Sequence, residues 1–277
     1  MSRGGTRAEA LAAGLLVAST MVEGAAHAAS PCDDPRPGVG TPARVPLFGP
    51  ADFGTSQEAC ARTRVALESR GALLVAERDF YGTLLAGTQV RATVALSRGT
   101  WLSVVMPGVE YRFVANATVE AERASLGAGA LGLHVPVAES GSFRLVTFGR
   151  VLLPTETIYT NATRQGLEHG LTGLLRANGW LEVVGTLAFP TTFVTTSGRV
   201  TVGSSPVLAV DAVARPARAF GIAAGFGLRP LDSFDPRVQL RLYPFRNAFV
   251  ALGGTFPMLG RDRTTAGVGL SLGWDGL

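Results

Sequence analysis

The sequence predicts an all-β fold: a closed antiparallel transmembrane β-barrel of about 12 strands behind a short Pro-rich N-terminal segment. Three observations carry this expectation. From about residue 61 to the C-terminus, apolar residues recur at every second position, the period of strands whose successive side chains face opposite ways. Hydrophobic residues make up 47% and charged residues 17% of the 277-residue chain, yet beyond the N-terminus no apolar run reaches the roughly 18 residues of a transmembrane helix. The connections between alternating runs are short and long by turns. An outer-membrane barrel requires this, because its periplasmic turns are short and its extracellular loops long.

Residues 1–28 read as a secretory signal peptide. Arg3 and Arg7 precede the apolar run Ala10–Val17, and Ala26-His27-Ala28 supplies a small-residue cleavage site. Residues 29–60 form a periplasmic lead-in. Pro31, Pro35, Pro37, Pro42, Pro46 and Pro50 exclude a central strand or a long helix there. The chain's two cysteines, Cys32 and Cys60, flank this stretch. In an exported protein they are expected to form one disulfide.

The barrel then occupies residues 61–277. Its expected strands are roughly 62–79, 80–97, 100–115, 123–137, 142–153, 165–177, 180–194, 200–214, 218–229, 236–245, 247–257 and 264–274. In the second, Val90, Ala92, Val94 and Leu96 oppose Gln89, Arg91 and Thr93. In the third, the apolar parity switches at Pro107-Gly108, as a β-bulge would make it. Around LLRANGWLEVVGTLAF (174–189), Asn178-Gly179 separates two alternating runs. This predicts a hairpin with a type I′ turn, which needs positive φ at both central residues. Val238, Leu240 and Leu242 oppose Arg237, Gln239 and Arg241, and Val268 to Trp274 alternate with Gly and Ser. Aromatic residues such as Phe80, Trp101, Phe143, Trp180 and Trp274 fall near strand ends, as interfacial girdles do.

The stretch GAGALGLHVPVAESGSFRLVTFGRVLLPTETIYT (127–160) resembles bacterial outer-membrane barrels of the transporter type, which include proteins linked to the phenol meta-cleavage pathway. The shared pattern is a Gly-rich strand, a short turn, an apolar strand ending Leu153-Pro154-Thr155 and a polar loop. The resemblance implies an outer-membrane location and passage of small molecules. It carries over no functional residues.

Parity assigns one face of each strand to lipid and the other to the lumen. The expected lumen-lining charges are Arg91, Glu110, Arg112, Arg144, Arg150, Glu168, Arg176, Glu182, Arg237 and Arg241. Two roles suit such a set. The groups can pair with one another to fill a narrow barrel, or an arginine excess can draw anionic solutes into a pore. His134 has lumen parity and His169 outward parity. Ser125 and Ser142, the serines nearest His134 in sequence, form no recognisable nucleophile motif with it, so the chain does not read as an enzyme. The His, Cys and carboxylates lack metal-ligand spacing, and no Gly-rich phosphate loop occurs. No cofactor is expected.

All 25 basic residues are arginine, the formal net charge is +4 and the pI is near 9.7. The arginines alternate along strands instead of clustering, which argues against a nucleic-acid partner. The expected partners are outer-membrane lipid and a small solute, and nothing in the sequence fixes an oligomeric state. The expected role is a channel or transporter for small solutes. A surface-interaction barrel binding through extracellular loops such as 154–165, or a soluble secreted β-sandwich, would be the alternatives.

Overall fold

The structure is a computed structural model. It describes residues 32, 59–61, 63–75, 82–96, 99–115, 120–126, 129–153, 162–196, 198–217, 219–230, 233–245, 248–256 and 266–275. The expected signal peptide, most of the Pro-rich segment and the long loops at 154–161 and 257–265 lie outside the described residues.

The strand segments are β1 (Arg64–Val75), β2 (Gly82–Ala95), β3 (Trp101–Ala115), β4 (Glu120–Leu126), β5 (Gly129–Ser140), β6 (Phe143–Leu153) and β7 (Ala162–Arg176). They continue as β8 (Leu181–Thr196), β9 (Arg199–Ser204), β10 (Val207–Ala217), β11 (Phe220–Arg229), β12 (Ser233–Phe245), β13 (Ala248–Thr255) and β14 (Ala266–Asp275). The 14 segments make 12 staves. Both β4 and β5 pair with β3, and both β9 and β10 pair with β8, so each couple is one interrupted stave. All neighbours are antiparallel, and β14 closes the wall against β1 from Arg64↔Asp275 to Leu73↔Ala266. Closure leaves a barrel and excludes the sandwich alternative.

The alternation of the sequence becomes an inverted core. On β7 the outward Leu167, Leu171 and Leu175 are 53%, 43% and 46% exposed, while the inward Glu168 and Thr172 are 2% and 0% exposed. On β12 the outward Val238, Leu240 and Leu242 are exposed, and the inward Asp235, Arg237, Gln239, Arg241 and Tyr243 are all buried. A soluble domain would bury the other set. Here the apolar atoms form a continuous outer band.

The parity switch in β3 has its expected cause. Gly87 and Gln89 of β2 face Glu110 and Pro107 of β3, so β3 carries one extra residue. Met106 and Val109 consequently both point outward, at 53% and 58% exposure.

The Asn178 hairpin differs from expectation. Gly179 does not adopt positive φ, and the connection is the four-residue stretch 177–180. The Asn178 side chain provides the turn instead: its Oδ1 accepts from the backbone N–H groups of Trp180 at 3.0 Å and Leu181 at 2.9 Å. Asn can close a turn through its side chain, which removes the need for φ > 0.

Candidate functional site: the barrel interior

Among the described residues the interior is built from inward positions of neighbouring staves, and several of its charged groups are paired laterally because register puts opposite charges side by side. Arg150 of β6 and Glu168 of β7 are direct cross-strand partners. Arg150 Nε donates to Glu168 Oε2 at 2.7 Å, and Nη2 donates to the same oxygen. Arg176 of β7 lies opposite Glu182 of β8 and donates to Oε1 through Nη2 at 2.8 Å. Arg215 of β10 approaches the other oxygen of Glu182 at 3.1 Å. One carboxylate therefore serves two guanidinium groups.

The Asp211–Arg237 pair spans two strand spacings. Asp211 of β10 lies opposite Gly225 of β11, which lies opposite Arg237 of β12. The pair is bidentate: Nε donates to Oδ1 at 2.7 Å and Nη2 to Oδ2 at 2.6 Å. Gly225 permits it, since a Cβ there would sit 2.3 Å from Asp211 Oδ1 and 2.1 Å from the Val210 carbonyl oxygen. Gly132 of β5 acts alike. A Cβ at Gly132 would lie 2.6 Å from Ser103 Oγ and 2.7 Å from Arg150 Cγ, so Arg150 can lie across the strand.

A second group is aromatic. Trp101 of β3, His134 of β5 and Phe148 of β6 occupy one register row. The His134 ring stacks on Trp101 at a centroid distance of 4.8 Å and on Phe148 at 5.7 Å. His134 Nε2 and Ser103 Oγ are 3.0 Å apart. The serine that meets His134 is thus neither Ser125 nor Ser142, but one brought across by the β3–β5 register. His169 points outward and stacks on Phe189 at 5.6 Å.

One step in from the short turns, next to the layer of Arg144, Arg176, Glu182 and Arg215, the interior has an apolar layer. Trp101, Val146, Leu174, Val184, Val213 and Ala223 form one buried cluster with Ala59, and Cys32, Cys60 and Ala61 pack against it. Cys32 and Cys60 are disulfide-bonded, the pairing expected from the sequence.

Of the residues assigned to the lumen by parity, Arg144, Arg150, Glu168, Glu182, Arg237 and Arg241 are buried, and Arg91 and Arg176 are half-buried. Arg144 donates to Glu139 Oε2 at 2.7 Å and to the Gly99 carbonyl at 3.2 Å. Arg241 Nε donates to Gln239 Oε1 at 2.6 Å. The backbone of Glu110 and Arg112 lies in β3 opposite Gly87 and Leu85, and their side chains lie outside the described set.

Sequence reasoning missed Arg64, Asp211, Arg215 and Asp235, all buried. Asp211 sits in VLAVDAVA, where both faces are apolar and parity has no contrast. Arg215 and Asp235 fall one position beyond the strand limits read from the sequence. A longer β10 and β12 would have captured both. Among the described residues no group of His, Cys, Asp and Glu could hold a metal ion.

These features define an inside-out closed barrel of 12 staves with an ionic, paired interior. No family model and no curated protein sequence matches the chain. Among solved structures, the chain is similar to an outer membrane channel from Pseudomonas putida F1. The TM-score is 0.59 at 9% identity, over 81% of this chain and 98% of that one. It is also similar to the KdgM porin in complex with disordered oligogalacturonate, with TM-score 0.51 at 9% identity, over 76% and 99%. The translocator domain of the autotransporter NalP from Neisseria meningitidis gives TM-score 0.51 at 10% identity, over 77% and 88%. At these identities the likeness is one of fold.

Proposed function

We propose that this protein is a bacterial outer-membrane channel for small solutes, exported by residues 1–28 and bearing a periplasmic segment at 29–60. The observation that carries the reading is the inverted core. A closed wall satisfies its backbone without water, and exposed Leu, Val and Phe on its outside suit acyl chains. The short turns then face the periplasm, and the ionic face encloses the solute path.

Composition of that path favours anions. Six buried arginines (Arg64, Arg144, Arg150, Arg215, Arg237 and Arg241) face four buried carboxylates (Glu168, Glu182, Asp211 and Asp235) among the described residues. A cationic excess lining a pore attracts anions. The likeness of the fold to outer-membrane channels and porins supports the reading. The resemblance of residues 127–160 to barrels linked to the phenol meta-cleavage pathway makes small organic anions the first solutes to try. The test is reconstitution in planar bilayers under a salt gradient. Discrete conductance steps with an anion-selective reversal potential are expected. A folded, inserted protein that never conducts would refute the channel, and a cation-selective one would refute the role of the arginines.

A further inference from the structure

The charged layer nearest the short turns is drawn from neighbouring staves. Glu139 stands near the end of β5 and Arg144 just inside β6; Arg176 ends β7, Glu182 opens β8 and Arg215 stands near the end of β10. Arg144 Nη1 donates to Glu139 at 2.7 Å, Arg176 Nη2 to Glu182 at 2.8 Å, and Arg215 reaches the other Glu182 oxygen at 3.1 Å. Water reaches this layer, since the side chains of Glu139 and Arg176 are 39% and 19% exposed. Arg144 differs from both. Its side chain is 7% exposed, and its Nη2 donates to the Gly99 carbonyl. Its Nε is buried and donates to nothing. A buried N–H of a charged group without an acceptor is costly, and in a native interior such an atom calls for a bound group that completes it. An N–H donor cannot hold a cation, so that group is an acceptor.

We propose that this layer binds a small oxyanion, a carboxylate or phosphate group, through Arg144 Nε with the Arg176 guanidinium beside it. The site deepens the channel reading and rests on it only for the route by which a solute arrives. Register places the two arginines together. Arg144 lies opposite Leu174, and Arg176 follows on the same inward face, which sets their backbones about 7–8 Å apart on the diagonal. Behind them Leu174, Val146 and Val184 belong to the buried apolar cluster, and a low local dielectric strengthens a charge-assisted hydrogen bond. Oxyanions suit guanidinium donors better than a spherical halide does, because their oxygens match directed N–H groups. Glu139 and Glu182 already draw on the same guanidiniums. They compete with the incoming anion and keep its binding weak, as a solute that must also leave requires.

The test uses the full mature chain folded in detergent. Its thermal unfolding midpoint is titrated with acetate, phosphate and chloride at constant ionic strength, for the wild type, Arg144→Gln and Arg176→Gln. Heat-modifiable gel mobility confirms that each barrel is folded. A ligand that binds the folded form raises the midpoint with its concentration. General salt effects act on all three proteins alike, so the difference between them reads the site. Acetate or phosphate is expected to stabilise the wild type more than chloride does, and each substitution to weaken that effect by about tenfold in concentration. The more effective oxyanion then names the class of ligand. Arg176→Gln, at a half-buried position, covers the case in which Arg144→Gln fails to fold. Equal effects of the three anions, or effects that the folded variants leave unchanged, overturn the site, and do so even if the channel conducts. An arginine-dependent shift in a barrel that never conducts in planar bilayers keeps the site and refutes the channel instead.

Discussion

Replacing Asp211 by Ala removes one partner of a bidentate pair whose side chains are 1% and 3% exposed, Asp211 and Arg237 respectively. Arg237 would be left in the interior with two donors, Nε and Nη2, that had reached Asp211 at 2.7 and 2.6 Å. Breaking a buried ion pair from one side costs about 3–5 kcal/mol, because the remaining charge is uncompensated. Replacing both partners removes that penalty, so the double variant D211A/R237M is expected to be more stable than D211A alone. The coupling energy between the two positions should be about 2 kcal/mol or more. The assay is equilibrium unfolding of the refolded barrel in detergent micelles, followed by tryptophan fluorescence and by heat-modifiable gel mobility. If D211A falls within about 0.5 kcal/mol of the wild type, as an ordinary surface change does, the pair is not enclosed and the assignment of this face to the interior is wrong.

Four further outcomes are expected. Leu171, 43% exposed on the outward face, changed to Arg should impair assembly by about 2–4 kcal/mol if it lies near the bilayer midplane; folding yield into lipid vesicles measures this, and full insertion would refute the facing. Gly225→Ala would place a Cβ 2.1 Å from the Val210 carbonyl oxygen, and should destabilise the barrel by about 1–3 kcal/mol through overpacking in the same unfolding assay. Arg215→Gln leaves Arg176 and Glu182 as a balanced pair, and should weaken anion preference in the reversal potential with little change in fold; a conducting variant with unaltered selectivity would count against the arginine excess. Asn178→Ala removes the acceptor that closes the Ala177–Trp180 turn, and should cost about 1 kcal/mol, whereas Gly179→Ala should be nearly silent because its φ is not positive and a Cβ there meets open space.

Much of the wall was legible because strand parity and burial are the same information in a two-faced sheet. β12 shows this best: Arg237, Gln239 and Arg241 alternate with Val238, Leu240 and Leu242, and the structure buries the first set while exposing the second. The β3 bulge was legible for the same reason, since an extra residue inverts the pattern beyond it. Legibility failed where the contrast vanished or where the contact crosses strands. β10 is apolar on both faces, so Asp211 gave no signal. Ser103 and His134 are 31 positions apart and meet only through the β3–β5 register. The turn at Asn178 was misassigned because Asn-Gly suits two closures: a backbone one needing positive φ, and a side-chain one that does not. That Arg144, Arg150, Glu168, Glu182, Arg237 and Arg241 point inward was legible from parity. Which carboxylate meets which arginine was not, because pairings such as Asp211 with Arg237 depend on a glycine in the strand between them.

The seam between β1 and β14 sets the order in which this molecule can be made. Nearly every other lateral contact joins neighbours in sequence, and such hairpins can zip together as soon as both strands emerge. The seam joins Arg64 to Asp275, so the first stave must wait with an open edge until the last residues arrive. A chain truncated before Ala266 would leave two sticky borders, on β1 and on β13, each ready to recruit a strand from a neighbour. Pairing of the C-terminal strand with both β1 and β13 is therefore what removes the last open borders of the wall.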